Sequence, residues 1–123
     1  MPNWPWRYFT REELQCLCCG RCEMDEEFMH EFEAHRYLVN VPFIVHSGYR
    51  CPTYDERVRE EQGQEGTGLH SKGWALDGHW QELRKGWTYS MYTWDGGIGL
   101  YLKGRQSDRF IHYDNGPWRV WTY

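Results

Sequence analysis

Met24, Phe28 and Phe32 repeat at every fourth position, and Asp25 followed by Glu26 and Glu27 puts a capping carboxylate and further acid at the start of that run. The pattern predicts the main core helix from Asp25 to Leu38. Upstream, Thr10 and Glu13 stand in capping-box spacing, so a short helix is expected from Arg11, broken by Gly20. Val41 to His46 reads as a strand with Ser47-Gly48-Tyr49 as its turn, and Thr53 with Glu56 forms a second capping box after Pro52, starting a helix that stops near Gly63. Gln62 to Gly68 holds three glycines among polar residues and is a loop. Trp74 to Asp77 is short and apolar enough for a buried strand, and the Trp- and Tyr-rich stretch ending at Trp94 is assigned to helix. Beyond it Ile98–Leu102, Arg109–Tyr113 and Trp118–Thr122 are three strands, separated by the turns Lys103-Gly104 and Asn115-Gly116-Pro117. Helices first and a meander last predict an α+β domain with an antiparallel sheet covered on one face by the N-terminal helices.

At 123 residues the chain is expected to be a single domain, residues 1–123. Eight Trp and nine Tyr bring the aromatic content to 18%, which argues for a packed core and against disorder. Trp80, Trp87 and Trp94, seven apart, are read as a packed helix face in preference to a sugar platform. A net charge of −4 without any Lys/Arg cluster removes the electrostatic basis for binding nucleic acid. No apolar run is long enough for membrane insertion, and Met1-Pro2-Asn3-Trp4-Pro5-Trp6-Arg7 lacks the basic and apolar regions of a leader. A monomer made in the cytoplasm without a signal peptide is expected.

An odd count of five cysteines favours reduced thiols or metal ligation over a disulfide framework. Four crowd into Cys16-Leu17-Cys18-Cys19-Gly20-Arg21-Cys22. Cys19 and Cys22 have the spacing of a zinc knuckle that Cys16 and Cys18 would complete, and buried thiols in a tight turn are the alternative. Cys51 is read as a separate buried thiol.

Three residues carry the main chemistry. On one helix His70 and Asp77 would stand about 10 Å apart along the axis, too far for one zinc with bonds of about 2 Å. A turn at Lys72-Gly73 leading into the strand Trp74–Asp77 brings them together, and His112 arrives on a later strand. Two His and one carboxylate leave a fourth zinc position open, as catalytic zinc requires. Of the other histidines, His30 and His35 are expected at the surface or rim of the long helix, and His46 either in the strand or lining the cleft.

His70-Ser71-Lys72-Gly73-Trp74-Ala75-Leu76-Asp77 resembles the H-x-x-G-x-A-x-D motif of the zinc D-Ala-D-Ala carboxypeptidase and murein endopeptidase superfamily, whose fold is shared with the hedgehog signalling domain. Ser47-Gly48-Tyr49-Arg50-Cys51-Pro52 is similar to its S-G-Y-R-x-P segment. Gly97-Ile98-Gly99-Leu100-Tyr101 and Phe110 to Trp121 are similar to its G-x-G-x-Y and F-x-H-x-D-x-G-x-x-R-x-W blocks. The blocks occur in family order, and the cysteine cluster and the Asp25 helix look like the small phage- and prophage-encoded branch.

The resemblance implies that His70, Asp77 and His112 hold zinc and that Arg50 binds substrate and stabilises charge on the attacked carbonyl. Several relatives carry Glu or His just upstream of the last ligand, where this chain has Arg109, and Ser two before the first ligand, where it has Gly68. Asp114 is the first choice as general base, because residues two apart in a strand share a face, and Asp108 is the second. The expected activity is zinc-dependent cleavage of peptidoglycan stem or cross-link peptides. The alternatives are an inactive hedgehog-like zinc domain that binds a partner, and an interaction module organised by the cysteines.

Overall fold

The computed structural model describes residues 4–123; Met1-Pro2-Asn3, where the leader reading begins, lies outside them. Helix α1 (Arg11–Leu14) starts at the expected capping box: Thr10 Oγ1 accepts from the Glu13 amide and the Glu13 carboxylate accepts from the Thr10 amide at 2.8 Å. Helix α2 (Glu26–Val39) is capped by Asp25, which accepts from the Phe28 amide at 2.9 Å, and ends at Asn40 in the left-handed region. The third helix departs from its predicted start. Pro52 is the first residue of α3 (Pro52–Glu61), Cys51 is its N-cap, and no side chain caps it. Proline's fixed φ begins the helix before Thr53, so the Thr53–Glu56 box has no N-terminus to serve.

Five strands follow the order β1-β2-β4-β3-β5, with β1 Phe43–Ser47, β2 Ala75–Trp80, β3 Gly97–Tyr101, β4 Phe110–Asp114 and β5 Arg119–Thr122. The sheet is mixed rather than antiparallel throughout, because β5 runs parallel to β3. A meander would have set β5 beside β4, but β2 and β3 already occupy both edges of β4. The chain after Asp114 therefore crosses the end of β3 and pairs on its far side. Helix α4 (Leu83–Thr93) lies between β2 and β3 in sequence.

Alternation along the strands separates two faces. One face presents Leu76, Trp80, Ile98, Ile111 and Tyr113 to Phe28, Met29 and Phe32 of α2, all of them buried. Phe32 is the hub, its ring centroid 5.1 Å from Phe43 and 5.2 Å from Tyr113. Trp80 and Trp94 join this core and Trp87 packs against it, yet they form no helical stripe: Trp80 lies in β2 and Trp94 caps the end of α4. His35, expected at the rim, is buried, with its ring nitrogens on Ser90 Oγ and Thr93 Oγ1, both at 3.1 Å. Two hydroxyls from α4 give it the partners that let it go inside. Among the described residues no helix is long and apolar enough to cross a membrane.

Candidate metal centre

The opposite sheet face carries the polar residues of the motifs. Register aligns Ser47, Asp77, His112, Gly99 and Trp121 in one row across all five strands. Directly opposite residues of neighbouring strands point to the same side, so Asp77 and His112 meet by pairing alone. His70 comes from a 3₁₀ turn, Leu69–Lys72, closed by Gly73 at φ 75°. Only a residue without Cβ fits there, because a side chain would strike the Glu23 carbonyl, and the Gly73 carbonyl accepts from the Asp25 amide at 3.0 Å. The expected turn at Gly73 thus docks onto the start of α2 and returns His70 over β2.

One atom each from His70, Asp77 and His112 lie within 4.8 Å of one another, and all three residues are buried. His70 Nδ1–H donates to the Gly48 carbonyl at 2.8 Å. That bond fixes the tautomer and turns Nε2 inward, where it has no hydrogen-bond partner although Asp77 Oδ1 is 3.2 Å away. A neutral ring facing a carboxylate in this way sets two electron pairs against each other, which either a proton on Nε2 or a metal cation between the two atoms relieves. Both nitrogens of His112 face carboxylates, Nδ1 toward Asp77 Oδ1 and Nε2 toward Asp114 Oδ2, each at 2.8 Å. Burial disfavours its charged form, but the two carboxylates outweigh burial and raise its pKa to about 9. Asp77 moves the opposite way: burial opposes its ionisation, yet His70 and His112 hold its carboxyl well below the usual range. The donors available, two imidazole nitrogens and one carboxylate oxygen, suit zinc.

A second row, Ala75, Asp114, Gly97 and Arg119, supports the first. Asp114 is fully buried and accepts from His112, from both terminal nitrogens of Arg119, and from the Gly97 and Gly116 amides. Burial raises its pKa, but His112 and Arg119 overcome this and hold it low. The glycines opposite give these bonds their space: a Cβ on Gly97 would lie 2.5 Å from Asp114 Oδ1, and one on Gly99 2.6 Å from the Trp121 ring. Trp121 folds across Gly99 until its centroid is 5.5 Å from that of His112.

No family model, curated protein or solved structure matches this chain.

The structure brings Arg50 to the same cleft, of about 420 Å³. Its Nη1 donates to Asp55 Oδ1 and Nη2 to Asp77 Oδ2, both at 3.1 Å, and Nε donates to Ser47 Oγ at 3.0 Å. Three of its five N–H donors are thus engaged and two remain. Asp108 lies elsewhere, on an exposed 3₁₀ turn beside Arg105 and outside the cleft lining. His46 is not part of the cleft lining: its Nε2 lies 2.7 Å from Nδ1 of His79 and its ring packs edge-on against Phe110, at the margin of the same sheet face.

Asp55 and Tyr123 carried no signal in the sequence, and Arg119 and Trp121 stood there only as letters of a motif block without an assigned role. Asp55 is fully buried, pairs with Arg50 and accepts from the Gly68 amide at 2.6 Å. Gly68 therefore meets Asp55 through its backbone, and Arg119, Trp121 and Tyr123 enter from β5 and the residue after it. The Tyr123 phenol is pushed up to about 12 by burial and the nearby Asp77 charge, so it keeps its proton. Parity along the last strand, 119-121-123, is the sequence signal that groups these three with the site face.

The cysteines do not pair as their spacing suggests. Cys16, Cys18 and Cys51 bring their sulfurs within 4.8 Å of one another, whereas Cys22 packs against the main core. Distance along the chain hid Cys51, which reaches Cys16 only because the Tyr49 amide is tied to the Leu14 carbonyl at 2.8 Å.

Proposed function

We propose that this chain is a zinc-dependent peptidase that cleaves peptidoglycan stem or cross-link peptides, as its motifs imply. The observation that carries the reading is the buried, partnerless His70 Nε2 directed at Asp77 Oδ1, two facing donor atoms that a metal cation would bridge. Zinc bound there by His70 Nε2, Asp77 Oδ1 and His112 Nδ1 would supply Lewis-acid polarisation of a peptide carbonyl and a water acidified toward neutral pH.

The chain's own residues prepare that site. Gly48 and Asp114 each hold the second nitrogen of a ligand histidine, fixing ring orientation and basicity. Arg50 keeps two donors for an oxygen gaining charge, and Asp55 and Ser47 fix its plane. The Tyr123 phenol is a further donor at the cleft. In the lining Arg50, Arg59 and Arg119 balance Asp55, Asp77 and Asp114, so a bound zinc would leave the cleft net cationic, which suits peptides rich in carboxylates despite the chain's net charge of −4. With five donors on its carboxylate, Asp114 is better placed to position His112 than to exchange protons with solvent. The same saturation favours the second reading, an inactive zinc domain that binds a partner, since Asp55, Asp77 and Asp114 all have protein partners already.

Purified peptidoglycan separates the two. The peptidase releases new amino groups, loses this activity to a chelator and regains it with zinc, and the His70→Ala variant releases none. Absence of hydrolysis by the zinc-loaded chain, or hydrolysis indifferent to chelator, would overturn the proposal.

A further inference from the structure

We propose that Cys16, Cys18, Cys19 and Cys51 form a second, structural zinc site that staples the N-terminal loop to the turn carrying Arg50. Tetrahedral zinc with Zn–S bonds of about 2.3 Å needs sulfurs about 3.8 Å apart. The sulfurs of Cys16, Cys18 and Cys51 all lie within 4.8 Å of one another, and Cys19, on the exposed loop next to Cys18 and outside that set, would swing in as the fourth ligand.

The backbone around Cys16 has the form of a metal knuckle. Cys16-Leu17-Cys18-Cys19-Gly20 places two cysteines three apart before a glycine whose φ of 76° reverses the chain. The loop closes by the Cys16 amide donating to the Arg21 carbonyl at 2.7 Å and the Gly20 amide to the Cys16 carbonyl at 2.8 Å. The Cys51 amide donates to Cys16 Sγ at 3.4 Å, which ties the loop of Cys16 to the turn of Cys51. The knuckle is therefore Cys16 with Cys19, not Cys19 with Cys22. On binding, each ligating thiol gives up its proton to solvent and all four sulfurs bond the ion. Cys51 is the N-cap of α3 and adjoins Arg50, so the ion would also fix the turn that aims Arg50 at Asp77.

Zinc content and zinc-edge X-ray absorption on the full chain test this independently of the first site. A His70→Ala/His112→Ala variant, cleared of the first ion, is expected to retain one zinc per chain surrounded by four sulfurs at about 2.3 Å. Adding Cys51→Ser should remove that zinc, and adding Cys22→Ser should leave it. Should Cys51→Ser fail to fold, thiol modification of the double variant gives the same information: one zinc is released as four thiols react. Absence of zinc from the double variant, a shell of nitrogen and oxygen only, or an intact mass lower by two hydrogens from a disulfide among the four would overturn the proposal.

Discussion

Asp114 shows how one side chain's neighbours decide its role. Strand parity rightly sets it on the face of His112 two residues before it, but parity says nothing of Arg119, which reaches it from β5 and engages both carboxylate oxygens. The five donors make Asp114 a holder of the His112 ring. An Asp114→Asn change is accordingly expected to weaken zinc binding about 10- to 100-fold, as loss of a carboxylate behind a ligand histidine does. Competition with a chelator of known affinity measures this. Unchanged zinc affinity with kcat reduced about 10²- to 10⁴-fold would instead return Asp114 to the role of general base. Residues that act through local spacing were legible in the sequence: Thr10 with Glu13, Asp25 as a cap, and Gly73 as the turn before Asp77. Cys51 and Asp55 were not, because their partners, Cys16 for the one and Arg50 and Gly68 for the other, meet them through loops whose closure no short-range pattern encodes.

At the scale of elements, the strands and helices followed from apolar spacing, and their order in the sheet did not. The chain folds β5 around β3 since β4 has no free edge, a constraint visible only once β2 is placed. Helix α4 illustrates packing overriding propensity. Gly86 sits inside it, where alanine ordinarily stabilises a helix by up to about 1 kcal/mol. Here an added Cβ would strike the Trp80 ring, which cannot swing away because its Nε1 donates to the Tyr113 hydroxyl at 2.8 Å. Overpacking costs about 1–3 kcal/mol, so Gly86→Ala is expected to destabilise the chain, measured as a lower denaturant midpoint. A raised midpoint would show that the core gives way at Trp80.

The whole molecule is one sheet with a packed helical side and an open polar side, and its acid sensitivity has an identifiable source on the packed side. Burial lowers the pKa of His35 from 6.5 to about 4, so the native state keeps it neutral while the unfolded chain takes up a proton. The unfolded state then binds more protons as pH falls below 6.5, and stability is lost between pH 6.5 and about 4. At about 1.4 kcal/mol per unit this amounts to about 3 kcal/mol. A His35→Gln variant should lose less stability than the parent across that interval, as followed by urea unfolding at several pH values; equal slopes would contradict it. The open side carries the central claim, that His70, Asp77 and His112 form one zinc site with a free position. A crystal of the zinc-loaded chain, with the ion located by anomalous scattering at the zinc edge, tests it most directly. The account predicts a zinc about 2.0–2.2 Å from His70 Nε2, Asp77 Oδ1 and His112 Nδ1, with its fourth position turned to the cleft lined by Arg50 and Tyr123. No anomalous peak among these three residues, or a fourth protein ligand closing the site, would contradict it.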